Sequence, residues 1–153
     1  MNKNLLAVIL FPVVINGCIT DPFESEKDVD IITDSSAYLL TNELKIKVSF
    51  KNHLSRDVRI LNSGCLLPSF ILEKKIENSW QQIYSPTCIA LFFEPTGLEG
   101  GKTFTAELNI HTPDFQSDNL VGEYRLNFDL IEKDNNNRLP EKYLYSTVFR
   151  IEE

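Results

Sequence analysis

The run Leu44-Lys45-Ile46-Lys47-Val48-Ser49-Phe50-Lys51 alternates apolar and polar residues without a fault. In an extended chain this puts four apolar side chains on one face and three lysines and a serine on the other. Helical neighbours on one face recur at three and four residues instead, so the run reads as a strand with one face buried. Phe104, Ala106, Leu108 and Ile110 alternate in the same way with Thr103, Thr105, Glu107 and Asn109. A third series sets Tyr124, Leu126, Phe128 and Leu130 against Glu123, Arg125, Asn127 and Asp129. Weaker strands are expected at about Val58–Leu61, Phe70–Ile76, Trp80–Tyr84, Cys88–Phe93 and Tyr143–Ile151.

No window of a dozen residues carries a helical period. Glu77-Asn78-Ser79 and Asp134-Asn135-Asn136-Asn137 are turn material suited to hairpins. Strands with one polar face belong to antiparallel sheets that are solvated on one side. The expectation is an all-β domain, an antiparallel sandwich or barrel of about seven to nine short strands. No internal repeat or low-complexity segment interrupts it.

The first seventeen residues follow a different rule. Lys3 supplies a minimal positive start and Leu5–Ile15 is an apolar stretch of eleven residues, too short to span a bilayer as a helix. It stops at Ile15-Asn16-Gly17-Cys18, which resembles the lipobox of bacterial lipoproteins: an aliphatic residue, a tolerant position, a small residue and the cysteine that is acylated. The resemblance implies a signal peptide over residues 1–17 and lipid on Cys18. From Ile19 to about Asp34 the chain is rich in Asp and Glu, with Lys27 as its lone base, and reads as an extended acidic tether. The expected organisation is therefore signal peptide 1–17, lipidated tether 18–35 and β-domain 36–153. Enterobacterial lipoproteins retained in the inner membrane carry Asp after the lipid cysteine; with Ile19 there, the resemblance implies the outer membrane, on its periplasmic or surface face, in a host with two membranes.

Charge narrows the partners. Residues 1–17 hold one lysine and no acid, so the net charge of −7 for the whole chain falls to −8 once they are removed. Nucleic acids require clustered Lys and Arg, and no such partner is expected. Of the three cysteines, Cys65 and Cys88 remain after Cys18 is assigned to lipid. In an exported protein they make one disulfide or remain two separate buried thiols.

Gly122-Glu123-Tyr124-Arg125-Leu126 resembles the tyrosine corner of immunoglobulin-like domains, in which a Gly-x-Tyr opens a strand and the hydroxyl bonds back to the corner backbone. Leu98-Glu99-Gly100-Gly101-Lys102, ahead of Phe104–Ile110, resembles the turn and strand that precede that corner in many bacterial domains of this kind. The resemblance implies an immunoglobulin-like β-sandwich over 36–153 with Gly122 and Tyr124 as structural residues. The sequence departs from antibody domains at Leu126, where those domains carry a cysteine, so a Cys65–Cys88 bond is not their inter-sheet bridge.

Catalytic groupings are sparse. His53 and His111 sit beside strand ends without metal-ligand spacing, and no nucleophile elbow or phosphate-binding loop occurs. Gly100-Gly101 reads as a turn. Asp134–Asn137 lacks the alternation and the glycine of a calcium loop, and reads as a hairpin tip. Trp80 is expected in core or hairpin packing, with ligand stacking as the alternative. No metal or cofactor is expected. The sequence supports a lipid-anchored, non-enzymatic envelope domain that binds an unidentified protein or ligand, or gives structural support. The alternatives are a proteinase-inhibitor-like domain, to which Val48-Ser49-Phe50-Lys51-Asn52, Trp80 and Leu98–Gly101 bear a distant similarity, and a hydrolase with a scattered acidic site. Phe92, Phe93 and Leu98 are the candidate partner surface: adjacent phenylalanines in a strand point to opposite faces, and one left beside Leu98 would form an apolar patch.

Overall fold

The structure is a computed structural model that describes residues 28–62, 68–86 and 94–153. Among these residues the fold is all-β, with no α-helix and eleven strands in three sheets. The strands are β1 Val29–Thr33, β2 Ala37–Leu39, β3 Glu43–Asn52, β4 Val58–Ile60, β5 Phe70–Ile76 and β6 Ser79–Tyr84. They continue with β7 Thr96–Leu98, β8 Thr103–His111, β9 Gly122–Phe128, β10 Leu130–Glu132 and β11 Phe149–Glu152. A three-stranded sheet runs β1-β3-β8, a five-stranded sheet β2-β11-β9-β5-β6, and a small sheet β10-β4-β7.

Alternation translates directly into burial. In β3, Leu44, Ile46, Val48 and Phe50 are buried while Lys45, Lys47 and Lys51 are exposed. In β9, Tyr124, Leu126 and Phe128 face inward and Glu123, Arg125 and Asn127 outward. The inward residues of all three sheets join one hydrophobic cluster. Phe50 of β3 meets Phe128 of β9 edge to face, ring centroids 4.8 Å apart, so the two larger sheets share this core. The β5–β6 hairpin turns at Glu77, whose φ of 53° is the left-handed conformation such a tight turn needs.

Two boundaries differ from the sequence expectation. The acidic segment does not remain a tether up to residue 35: Val29–Thr33 pairs antiparallel with β3 and buries Val29, Ile31 and Thr33. Its acidic neighbours hide a three-point alternation that pairing with β3 rewards. The strand expected over Tyr143–Ile151 is broken. Its first part is a 3-10 turn at Glu141–Tyr143, and Ser146 N then donates to Leu126 O of β9. Thr147 N turns instead to Ile31 O of β1, at 2.9 Å, and Thr33 N donates to Thr147 Oγ1. The chain thereby stitches the two larger sheets together before β11 resumes pairing with β9 at Phe149.

Two glycines are required by their surroundings. A Cβ on Gly100 would lie 2.8 Å from the Leu54 carbonyl oxygen and 2.9 Å from the Ser55 carbonyl carbon, both backbone. Gly122 has φ +148°, and a Cβ there would meet Lys74 Cε at 3.0 Å. Gly100 and the Gly122 that opens the Gly-x-Tyr run are thus backbone requirements at these two positions.

Candidate functional site

The outer face of the five-stranded sheet gathers the chemistry-bearing side chains. Arg125 projects outward from β9, and its directly paired neighbour on β5 is Glu73. Arg125 Nε donates to Glu73 Oε2 at 2.6 Å, and the two side chains are only 18% and 14% exposed. An ion pair this shielded on a solvent-side face needs a cover. Trp80 from β6 and Tyr145 provide it, with the guanidinium carbon 4.5 Å and 3.5 Å from the respective ring centroids. A planar, weakly hydrated guanidinium suits such aromatic surroundings.

Tyr145 is held in turn. Its hydroxyl donates to Glu141 Oε1 at 2.5 Å. Burial and that carboxylate push its phenol above the ordinary value. Asn127 bridges to Tyr145 and donates from Nδ2 to Glu73 Oε1 at 3.4 Å. On the rim, Glu123 accepts from Lys75 at 3.1 Å and lies 3.7 Å from Arg150. Below Asn127 the same face opens into a cleft of about 150 Å³ lined by Ser69, Phe70, Ile71, Ser85, Asn127, Phe128, Asp129 and Arg138. Arg138 and Asp129 form an ion pair across 2.8 Å there.

The sequence anticipated few of these residues. Glu73 and Arg125 sit at outward positions of β5 and β9, but their pairing joins strands about fifty residues apart, which no local pattern reports. Tyr145 lies in the broken part of the last strand. Trp80 packs at the hairpin, over Arg125 and on the solvent side.

The corner lies on the opposite, inward side. The Tyr124 hydroxyl donates to the Leu120 carbonyl four residues upstream, and burial pushes the phenol up to about 12. Lys74, a buried position of β5, donates to the Asn119 carbonyl of the same corner and lies 5.8 Å from the Tyr124 ring centroid. Burial lowers the Lys74 ammonium from its ordinary value.

Leu98 does not belong to an exposed patch. It is 1% exposed on β7, and the buried Asn52 donates from Nδ2 to its carbonyl at 3.1 Å. The β4–β7 pairing turns its side chain into the core. Phe92 and Phe93, together with Cys18, Cys65 and Cys88, lie outside the described residues. His53 Nε2 lies 2.9 Å from Asp30 Oδ2, and His111 Nδ1 3.4 Å from Asp114 Oδ2. Among the described residues no group of three or more His, Cys, Asp or Glu is placed to hold a metal ion, and no helix is long and apolar enough to cross a membrane.

No protein-family model and no curated protein matches the chain. Solved structures share a loose backbone likeness. The alkylpurine DNA glycosylase AlkC of Pseudomonas fluorescens, bound to DNA containing an abasic site analog, is 8% identical at a TM-score of 0.40, covering 84% of this chain and 32% of that one. A mutant β-glucosidase from Listeria innocua, in complex with laminaribiose, is 12% identical at 0.39, covering 82% and 16%. AvmM, which catalyses macrocyclization in alchivemycin A biosynthesis, is 11% identical at 0.37, covering 84% and 90%. The chain thus spans a minor part of the first two proteins. Likenesses this distant carry no argument about activity.

Proposed function

We propose that this protein is a lipid-anchored, non-enzymatic binding domain of the bacterial cell envelope, built on an immunoglobulin-like sandwich. The observation that carries the anchoring is the apolar run Leu5–Ile15 ending at Ile15-Asn16-Gly17-Cys18. β1 begins at Val29, eleven residues after Cys18 of the Ile15-Asn16-Gly17-Cys18 sequence. An acylated Cys18 would hold the domain within on the order of 35 Å of the membrane. Two or three acyl chains on that cysteine make the attachment lasting, which one chain does not.

The strand order supports the immunoglobulin-like reading. In such domains strands A, B and E share one sheet, while G, F and C, extended by C′, form the other. Assigning β1, β3 and β8 to A, B and E leaves β11, β9, β5 and β6 as G, F, C and C′, in the observed order. The Tyr124–Leu120 bond stands where a tyrosine corner belongs, early in strand F. The outer face of the five-stranded sheet is then the binding surface, because Trp80, Tyr145 and Arg125 are residue types that concentrate binding energy.

Metabolic labelling with a palmitate analogue tests the anchoring. The wild-type protein should be labelled and recovered with membranes, and Cys18→Ser should lose both properties. Equal labelling of the two would remove the lipid anchor from this reading.

A further inference from the structure

The cleft beside the aromatic stack has a definite chemistry. Its floor is Phe70 and Phe128, which are only 3% and 1% exposed; the half-buried Ile71 is the apolar part of walls that are otherwise polar. Those walls bring together the hydroxyls of Ser69 and Ser85, the Asn127 amide and the Asp129–Arg138 ion pair. Among the described residues, neither serine hydroxyl has a hydrogen-bond partner; the Asn127 side-chain oxygen and the second Asp129 oxygen likewise have none. Donors and acceptors are mixed, and the one cation is balanced by the one anion.

Size and charge select among ligands. A space of about 150 Å³ accommodates a single six-membered ring, and an apolar cavity of that volume takes up benzene. It falls below the range of roughly 300–1,000 Å³ that encloses drug-sized molecules. The polar walls disfavour an apolar ring, and the neutralised Arg138 disfavours an anion. What remains is a ring carrying several hydroxyls, each able to donate and accept. Asn127 of the cleft is joined to Tyr145 by an isolated antiparallel bridge.

We propose that this cleft binds one ring of a neutral saccharide through Ser69, Ser85, Asn127, Asp129 and Arg138. The inference rests on the reading of this sheet face as a binding surface, and names its ligand class. The full lipidated protein, in a detergent without a sugar headgroup, can be titrated with methyl glucoside, methyl galactoside or N-acetylglucosamine and followed by amide NMR. At least one probe should saturably shift the Asn127 side-chain amide and the Ser69 and Ser85 backbone amides. Ser85→Ala and Asp129→Asn should each weaken that binding at least fivefold, leaving the rest of the spectrum unchanged. The proposal is overturned if no probe produces saturable shifts at the cleft, if the variants bind as tightly as wild type, or if glucuronate binds there more tightly than the neutral sugars. Saturable shifts confined to Trp80, Arg125 and Tyr145 would overturn the cleft as the saccharide site while keeping this face as a binding surface, so the two failures are distinguishable.

Discussion

Tyr124 connects a local motif to the stability of the corner. Its ring is fully buried and packs against Phe149, while its hydroxyl donates to the Leu120 carbonyl. Tyr124→Phe keeps the ring and strands the carbonyl, which should cost about 1 kcal/mol in urea denaturation near neutral pH. The same residue has an alkaline signature. Its phenol titrates at about 12 in the folded protein against an ordinary 10.0, because burial opposes the phenolate. Its contribution is therefore complete below pH 10 and is lost as pH rises toward about 12, the unfolded chain releasing the proton first. The phenylalanine variant should show a shallower alkaline fall than wild type. A midpoint and a slope both unchanged would make the hydroxyl irrelevant to stability. Gly-x-Tyr was readable in the sequence because it is local. Lys74, which completes the corner from β5, was not, since its partner carbonyl lies 45 residues away.

At the scale of elements, legibility followed length and period. β3, β8 and β9 run seven to ten residues and were marked by alternation. β2, β7 and β10 are three residues each, too short for a period to register, and β4, equally short, was expected only as a weak strand. β1 was obscured for another reason: Asp30 and the acids around the strand match a charged linker, while Val29 and Ile31 are its buried apolar side chains. Beginning the chain at Ser36, the boundary suggested by composition, would remove both side chains from the core. Burying them is worth about 4 kcal/mol together, a large part of the stability of a domain this size. A chain beginning at Ser36 should therefore melt well below one beginning at Ile19. Equal melting temperatures would show β1 to be an ornament on an independent core.

The whole molecule depends on connections between sheets. Thr147 turns from β9 to β1, Phe50 meets Phe128, and Asn52 ties the β3 end to Leu98 of β7. Asn62 extends this pattern: its Nδ2 donates to the Glu94 carbonyl at 2.6 Å. It lies three residues before Cys65, and Glu94 six residues after Cys88. A Cys65–Cys88 bond, as expected if the protein is exported, would close a loop of about 23 residues and be worth roughly 3 kcal/mol in the chain-entropy account. Mass analysis without reduction should find no alkylatable thiol in the folded domain, and two free thiols would refute the pairing.

The sequence by itself determined the all-β class, the inward residues of the long strands and the turn at Glu77–Ser79. Each of these is written in neighbouring residues, where a period of two or a turn-forming cluster suffices. Tertiary structure alone decided that Glu73 meets Arg125, that Trp80 and Tyr145 cover them, and that Leu98 turns inward. Those outcomes depend on which strands pair and in what register. Pairing is settled when one core must be filled from three sheets at once, and a one-residue slip in β5 or β9 would turn the outward cluster into the interior.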